Sequence, residues 1–206
     1  MITLQAVVEI QIHDNFDLWP IAELKPFDLL RLDGTLDQKH VGIAVMSIAA
    51  ANVAREDDAE RTGDSRAAFV DGLLTEEFPI AFGGLRIVDT VSNTVFNPGC
   101  CHGLEEWRDW FRSFDGGPVW FGHDPSSIVE RDGRTMRLTV DAEEENSRVI
   151  ELPVDELRRL LAQAERDLGD FLMLARSWAT GHLPEQVSDF TIAMAKALNV
   201  ATPTTD

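Results

Sequence analysis

The sequence predicts an α+β fold, in which a long C-terminal amphipathic helix and a second C-terminal helix pack on a mainly antiparallel sheet. Three patterns carry this prediction. Residues 6–12 are rich in β-branched side chains, and Asp132-Gly133 separates two further strand patterns, where it favours a tight hairpin turn. From Pro153 onwards, apolar residues recur every three or four positions, as in an amphipathic helix. A parallel sheet built from βαβ units is the alternative.

The composition is that of a folded but strongly acidic protein. The chain has 206 residues, of which 44% are hydrophobic, and a formal net charge of −18. Length and apolar content predict one globular domain over residues 1–200 and a frayed tail at 201–206. The charge argues against nucleic acid and anionic membranes as partners, and it suits a basic protein or a cation. The simpler interpretation is a surface charge that only keeps the protein in solution.

The cysteines and the apolar runs predict a cytoplasmic protein. The two cysteines are neighbours in the sequence and cannot form a structural disulfide framework, which favours a reducing compartment. The first residues do not form a basic leader followed by an apolar run, and the longest apolar run, residues 41–51, is too short to span a bilayer.

The N-terminal part is expected to combine short strands with irregular segments. Residues 41–48 form an apolar run whose β-branched residues favour a strand, although a buried helix fits the same run. Residues 55–66 lack large apolar side chains and predict a solvated loop. The other expected elements are strands at 6–12 and 27–32, an irregular cover at 13–26 and a short helix at 66–77.

The middle of the chain predicts a hairpin of residues 85–89 with 94–96, followed by a helix. In that helix, Trp110 lies beside the apolar face and is the candidate for an exposed aromatic anchor in a protein interface. Residues 119–121 are expected to form a short strand. The residues expected on the buried face of the helix are Leu104, Trp107, Phe111 and Phe114.

The C-terminal third predicts an antiparallel meander and then two helices. The long helix should begin at Pro153 and end near Thr180, with Gly181 as its terminator. The second helix, residues 184–198, should bury Val187, Phe190, Ile192, Met194 and Leu198. The expected meander strands cover residues 127–130, 135–140 and 148–152, and the buried stripe of the long helix comprises Leu157, Leu160, Leu161, Ala164, Leu168, Phe171, Leu172, Ala175 and Trp178.

Three segments carry a resemblance: FNPGCCHGLEEWRDWF, VWFGHDPS and IELPVDELRRLLAQAERDLGDFL. In this order they resemble a group of uncharacterised, acidic, actinobacterial-type proteins that share a Pro-Gly-Cys-Cys, Trp and Gly-His-Asp-Pro arrangement. The likeness covers roughly the C-terminal 120 residues. It supports the order of the segments and implies no activity.

Residues 94–124 concentrate the chemically active side chains, including both cysteines. Four of them are zinc-ligand types, Cys100, Cys101, His102 and His123, with Asp124 as a substitute ligand. The spacing argues against zinc, because structural sites prefer cysteines two to four residues apart. No cofactor is therefore predicted, and zinc is kept as an alternative.

The same stretch also supplies the parts of a cysteine nucleophile. Cys100 or Cys101 is expected at a helix N-terminus, where thiolates are stabilised, with His123 or His102 as base and Asp124 or Asp115 as the orienting group. The simpler interpretation buries one thiol under the helix and leaves the other in solvent. On that interpretation His123-Asp124-Pro125 is only a turn.

We therefore expect a binding module rather than an enzyme. The expected role is regulatory or immunity-type, with Trp110 and the acidic run Glu143, Glu144 and Glu145 facing a basic protein partner. The alternative is a thiol- or metal-dependent, hydrolase-like enzyme that uses the cysteine and histidine cluster. The chain contains no glycine-rich phosphate loop, no dinucleotide-binding fingerprint, no GxSxG and no HExxH. Asp57-Asp58 is expected to be solvated charge.

Overall fold

The structure, a computed structural model, describes residues 1–11, 13, 15–52 and 65–203. Most of the predicted solvated loop at 55–66, including Asp57-Asp58, lies outside the described residues, as does the end of the tail. Within them, two antiparallel sheets and two C-terminal helices confirm the predicted α+β class.

The first sheet contains four antiparallel strands in the order β2-β1-β3-β4. Its long central strand β1 pairs with β3 over the register Ile2↔Asp89 to Val8↔Gly83. The predicted hairpin of β3 with β4 is confirmed. The strands are β1 (Ile2–Glu9), β2 (Leu29–Arg31), β3 (Gly83–Asp89) and β4 (Thr94–Phe96).

The second sheet is the predicted meander. Strand β5 (Ile128–Asp132) pairs with β6 (Thr135–Thr139), which pairs with β7 (Val149–Pro153). Gly133 takes a φ of 57° in the turn between β5 and β6, a conformation that glycine adopts without strain. One face of the sheet is buried in the core through Val129, Met136, Leu138, Ile150 and Leu152.

Residues 41–48 are helical, so the strand prediction for this run is wrong. They belong to α1 (Gln38–Ala51), whose N-terminus is capped by the Asp37 carboxylate, which accepts from the N–H groups of Lys39 and His40 at 3.0 Å each. Every residue from Val41 to Ala49 is buried. A helix that is apolar all round has no periodicity by which the sequence could distinguish it from a buried strand. The second helix, α2 (Ser65–Thr75), is close to its predicted position.

The C-terminal helices are α3 (Val154–His182) and α4 (Val187–Ala197), and they pack against each other. The predicted stripe of α3 is buried throughout. Gly181 does not terminate α3, which continues to His182 and is closed by the N–H of Leu183 bonding to the Ala179 carbonyl at 2.7 Å. In α4, Ile192 is 43% exposed, against the expectation that it is buried.

Residues Leu104–Asp115 form a 3₁₀ helix rather than the expected α-helix. With three residues per turn, positions 104, 107, 110 and 113 come to lie on one face. Trp110 is therefore fully buried, and Phe111 is 38% exposed. The predictions that Trp110 is an exposed anchor and that Phe111 is core are both wrong, because they assumed the longer α-helical period.

Candidate functional site

The candidate site lies where the loop before the 3₁₀ helix meets the segment that follows it. The two segments are joined by backbone hydrogen bonds: Cys100 N–H donates to the His123 carbonyl at 2.6 Å, and His123 N–H donates to the Cys100 carbonyl at 3.2 Å. Gly99 N–H donates to the Phe121 carbonyl at 2.7 Å. Residues 119–121 do not form the predicted strand, and the contact is an isolated bridge. It nevertheless places His123 directly opposite Cys100.

Two glycines permit this close approach. Gly122 has a φ of 91°, and a Cβ added there would lie 2.5 Å from the carbonyl oxygen of Cys100. A Cβ on Gly99 would lie 2.7 Å from the carbonyl oxygen of His123. Any larger residue at either position would push the two backbones apart, so the glycines hold the cysteines and the histidine together.

Three side chains converge at the bridge, namely Cys100, Cys101 and His123. The two Sγ atoms are 3.4 Å apart, and one ligand atom from each of the three residues lies within 4.8 Å of the others. All three side chains are exposed, and both thiols are free. The expectation that one thiol is buried under the helix is therefore wrong. Cys101 has a φ of 65°, a turn conformation that accompanies the placing of adjacent thiols on one surface.

His102 does not join this cluster, contrary to its candidacy as a metal ligand or base. Its side chain is only 1% exposed, and its ring packs edge-on against Trp120 and Phe121, with centroid distances of 6.0 Å and 6.2 Å. Neither ring nitrogen has a hydrogen-bond partner among the described residues, although Glu106 Oε2 lies 3.3 Å from Nδ1 without hydrogen-bond alignment. Burial lowers the pKa of His102 to about 4. His102 is therefore a neutral core residue.

The electrostatic surroundings disfavour an activated nucleophile. The hydrogen bond with Cys101 raises the pKa of the Cys100 thiol above its ordinary value, and burial and the negative charges of Glu9 and Asp124 act in the same direction. The cysteines also lie outside the first turn of the 3₁₀ helix, which begins at Leu104 after the N-cap Gly103. The thiolate stabilisation expected from a helix N-terminus is thus not what this geometry provides.

Asp124 forms an ion pair with His123. Its Oδ2 lies 3.4 Å from His123 Nδ1, and the two side chains are 90% and 56% exposed. Asp124 has a φ of 50° and precedes Pro125 through a cis peptide bond. Asp115, the other candidate for the orienting role, is exposed at the far end of the 3₁₀ helix. The contact is an ion-pair distance between two exposed side chains and not a hydrogen bond, so Asp124 does not fix the tautomer of the imidazole.

The candidate binding residues lie in different environments, one of them buried and three exposed. Trp110 is in the core, where its ring lies 4.7 Å from that of Phe121. Glu143, Glu144 and Glu145 are exposed on the turn between β6 and β7, and Ser126 Oγ donates to Glu143 Oε1 at 2.8 Å. Trp107 and Trp120 are the other tryptophans that the sequence offers for a partner surface, and of the three only Trp120 is exposed, at 52%.

Clefts lie elsewhere on the part of the protein that the structure describes. One of about 460 Å³ runs between β1 and α3, and two of about 400 and 510 Å³ flank α4. Their lining residues do not include Cys100, Cys101 or His123. The candidate site is consequently a surface cluster of ligand atoms rather than part of these clefts.

In the part of the chain that the structure describes, no helix is both long and apolar enough to cross a membrane. Comparison with protein-family models, with curated proteins and with solved structures found no match.

Proposed function

We propose that the protein binds one thiophilic divalent metal ion, with Zn²⁺ as the best fit, through Cys100 Sγ, Cys101 Sγ and a ring nitrogen of His123. The observation that carries the proposal is that these three ligand atoms lie within 4.8 Å of one another. Thiolate and imidazole are the donors that Zn²⁺ prefers in proteins. His102, which packs in the core, is not part of the proposed ligand set.

The separation of the two sulfur atoms is close to that in a tetrahedral zinc site. Two sulfur atoms at about 2.3 Å from one Zn²⁺ lie about 3.8 Å apart at the tetrahedral angle. The observed separation of Cys100 Sγ and Cys101 Sγ is 3.4 Å. Because both side chains are exposed, a small rotation about their χ1 angles increases the sulfur separation to the value in a zinc site without disturbing the core.

The charges also favour a cation over a nucleophilic thiolate. The carboxylates of Glu9 and Asp124 raise the pKa of Cys100 and would stabilise a positive ion at the same position. A bound divalent ion supplies the charge that lets both thiols deprotonate. Three protein ligands and an exposed position leave room for a fourth ligand from solvent or from a partner, an arrangement that also occurs in zinc sites with Lewis-acid activity.

A cobalt titration tests the proposal. The reduced, metal-free protein should bind one Co²⁺ and develop thiolate-to-cobalt charge-transfer absorption, which Zn²⁺ should abolish by displacement. His123→Ala should weaken binding by roughly 10- to 100-fold or more, because even the partners that orient a ligand contribute that much. His40→Ala is the matched control, since His40 lies on α1 beside Asp37 and outside the cluster. Absence of charge-transfer absorption in the wild-type protein would contradict the proposal.

The acidic turn supports a second candidate function, recognition of a basic protein. Glu143, Glu144 and Glu145 are exposed, and none of them takes part in the salt bridges found between described residues. The turn is held by its own hydrogen bonds, such as Glu144 N–H to the Asp141 carbonyl at 3.3 Å, and is tied to the segment before β5 by Ala142 N–H, which donates to the Ser126 carbonyl at 2.9 Å. Uncompensated carboxylates on an ordered turn suit a cationic surface. Both candidates are compatible with a cytoplasmic protein whose thiols stay reduced.

A further inference from the structure

We propose that Cys100 and Cys101 form a reversible thiol–disulfide couple, in which oxidation by a hydroperoxide joins the two adjacent sulfur atoms and removes them from the metal site. Formation of the disulfide does not depend on the proposed metal binding. Its consequence, release of the ion, does rest on that proposed function.

Proximity and access carry the inference. The two Sγ atoms are 3.4 Å apart, and both thiols are exposed and free. The chain contains only these two cysteines, so each has the other as its sole intramolecular partner. A peroxide can reach either sulfur from solvent, and the second sulfur is already beside the first when it reacts.

Adjacency makes the resulting bridge labile. Neighbouring Cα atoms across a trans peptide are about 3.8 Å apart, whereas disulfides prefer about 4.4 to 6.8 Å. A bridge between Cys100 and Cys101 is therefore strained, and strained, exposed disulfides are the ones that are easily reduced and that serve regulation. The surrounding backbone is held by the bonds between Cys100 and His123, which do not involve the sulfur atoms.

The chemical step balances with one hydroperoxide. The sulfur of one thiolate attacks the O–O bond, becomes a sulfenic acid and releases water or an alcohol after protonation. The sulfur of the second cysteine then attacks the sulfenic sulfur, the S–S bond forms and a water molecule leaves. Two electrons pass from the two sulfurs to the peroxide oxygen atoms, and both thiol protons end in the products. A dithiol reductant reverses the change by thiol–disulfide exchange.

Oxidation would remove two of the three proposed protein ligands. Thiolate is the form that binds metal, and a disulfide sulfur carries no such charge. His123 alone would hold the ion weakly, so the oxidised protein should release it. The site would then bind metal only under reducing conditions.

The first test uses the wild-type, metal-free protein treated with one equivalent of hydrogen peroxide. Intact mass spectrometry should show the loss of two hydrogen atoms, and a non-reducing digest should place the link between Cys100 and Cys101. Dithiothreitol should restore the original mass. Cys100→Ser and Cys101→Ser should instead give a stable sulfenic acid, which a cyclic diketone reagent labels, or a disulfide-linked dimer. Sulfinic acid or intermolecular dimers as the main wild-type products would overturn the inference.

The second test separates this inference from the proposed function. The reduced wild-type protein should bind Co²⁺, the peroxide-treated protein should lose at least tenfold in affinity, and dithiothreitol should restore binding. Unchanged Co²⁺ affinity in a protein shown by mass to be oxidised would refute redox control of the site. If the disulfide forms but the reduced protein binds no Co²⁺, the thiol couple stands, and the proposed function and the control of ion release fall.

Discussion

His102 follows the two exposed cysteines directly, yet its ring is among the most buried polar groups of the protein. Burial lowers its pKa to about 4, while the negative charge of Asp109 acts in the opposite direction. The ordinary value is about 6.5, which is the pKa expected in the unfolded chain. At pH values between these two pKa values, the unfolded state therefore binds a proton at His102 and the native state does not.

This difference predicts acid destabilisation. Between about pH 6.5 and pH 4 the unfolded chain is protonated at His102 and the native chain is not, so stability falls as the pH drops through this window. The loss approaches roughly 3 kcal/mol at about pH 4, from 1.36 kcal/mol per pKa unit. The loss of stability is measured by urea unfolding of the wild-type protein and of His102→Leu at the two ends of this pH window, with a chelator present. The variant should lose less stability on acidification. An identical loss in both proteins, or an imidazole titration near 6.5 by NMR, would contradict the prediction.

At the scale of the element, the 3₁₀ helix implies that two neighbouring aromatic residues contribute very differently to the free energy of unfolding. Trp110 is fully buried and Phe111 is 38% exposed. Trp110→Ala should cost roughly 3 to 5 kcal/mol of unfolding free energy, because it leaves a large cavity. Phe111→Ala should cost roughly 1 kcal/mol, since much of the ring is already in solvent. Denaturant unfolding of both variants distinguishes the 3₁₀ period from the α-helical period. An α-helical period would make Phe111→Ala the more damaging change.

Helix α3 predicts a similar contrast between its two faces. Leu161 is fully buried, whereas Met173 on the same helix is 48% exposed. Leu161→Asp should unfold the protein, because burying an unpaired carboxylate costs several kcal/mol against a total stability of about 5 to 15 kcal/mol. Met173→Asp adds the same charge to the exposed face and should lower stability by about 1 kcal/mol or less. A melting temperature for Leu161→Asp close to that of Met173→Asp would refute the role of this stripe in the core.

At the scale of the whole molecule, the charge of −18 is the dominant property. If the acidic turn recognises a basic protein, association should weaken steeply as salt shortens the Debye length below about 10 Å. Pull-downs at low and high salt should recover a basic partner only at low salt. Replacing Glu143, Glu144 and Glu145 with Gln should abolish recovery, whereas the same change at three other exposed carboxylates, Glu76, Glu77 and Glu185, should not.

The outcome separates two roles for the charge. Equal recovery with both triple variants would show that net charge, rather than the turn, attracts the partner. Recovery of no specific protein at low salt would leave the charge as a determinant of solubility. The metal proposal is independent of this result, because its ligands lie outside the turn.

The sequence by itself determined the elements whose patterns are local. The stripe of α3 repeats with the helical period over nine apolar residues, and Asp132-Gly133 fixes the β5–β6 turn through the φ of 57° at glycine. Both signals depend on positions a few residues apart, so no distant contact is needed to interpret them. The cysteines and His123 could be named as candidates from residue type alone, because thiolate and imidazole are zinc ligands wherever they stand in the chain.

Only the tertiary structure decided three further points. The run 41–48 is a helix although its sequence, apolar all round and without a distinguishing period, fits a buried strand equally well, and Trp110 points inwards because the 3₁₀ period differs from the α-helical one. Cys100 and His123 lie together because a backbone bridge joins two segments that are distant in the sequence. The positive φ values of Cys101 and Gly122 also set where the side chains lie, and His102 remains outside the cluster. Such convergence depends on long-range packing and on backbone conformation, neither of which is encoded in the spacing of residues along the chain.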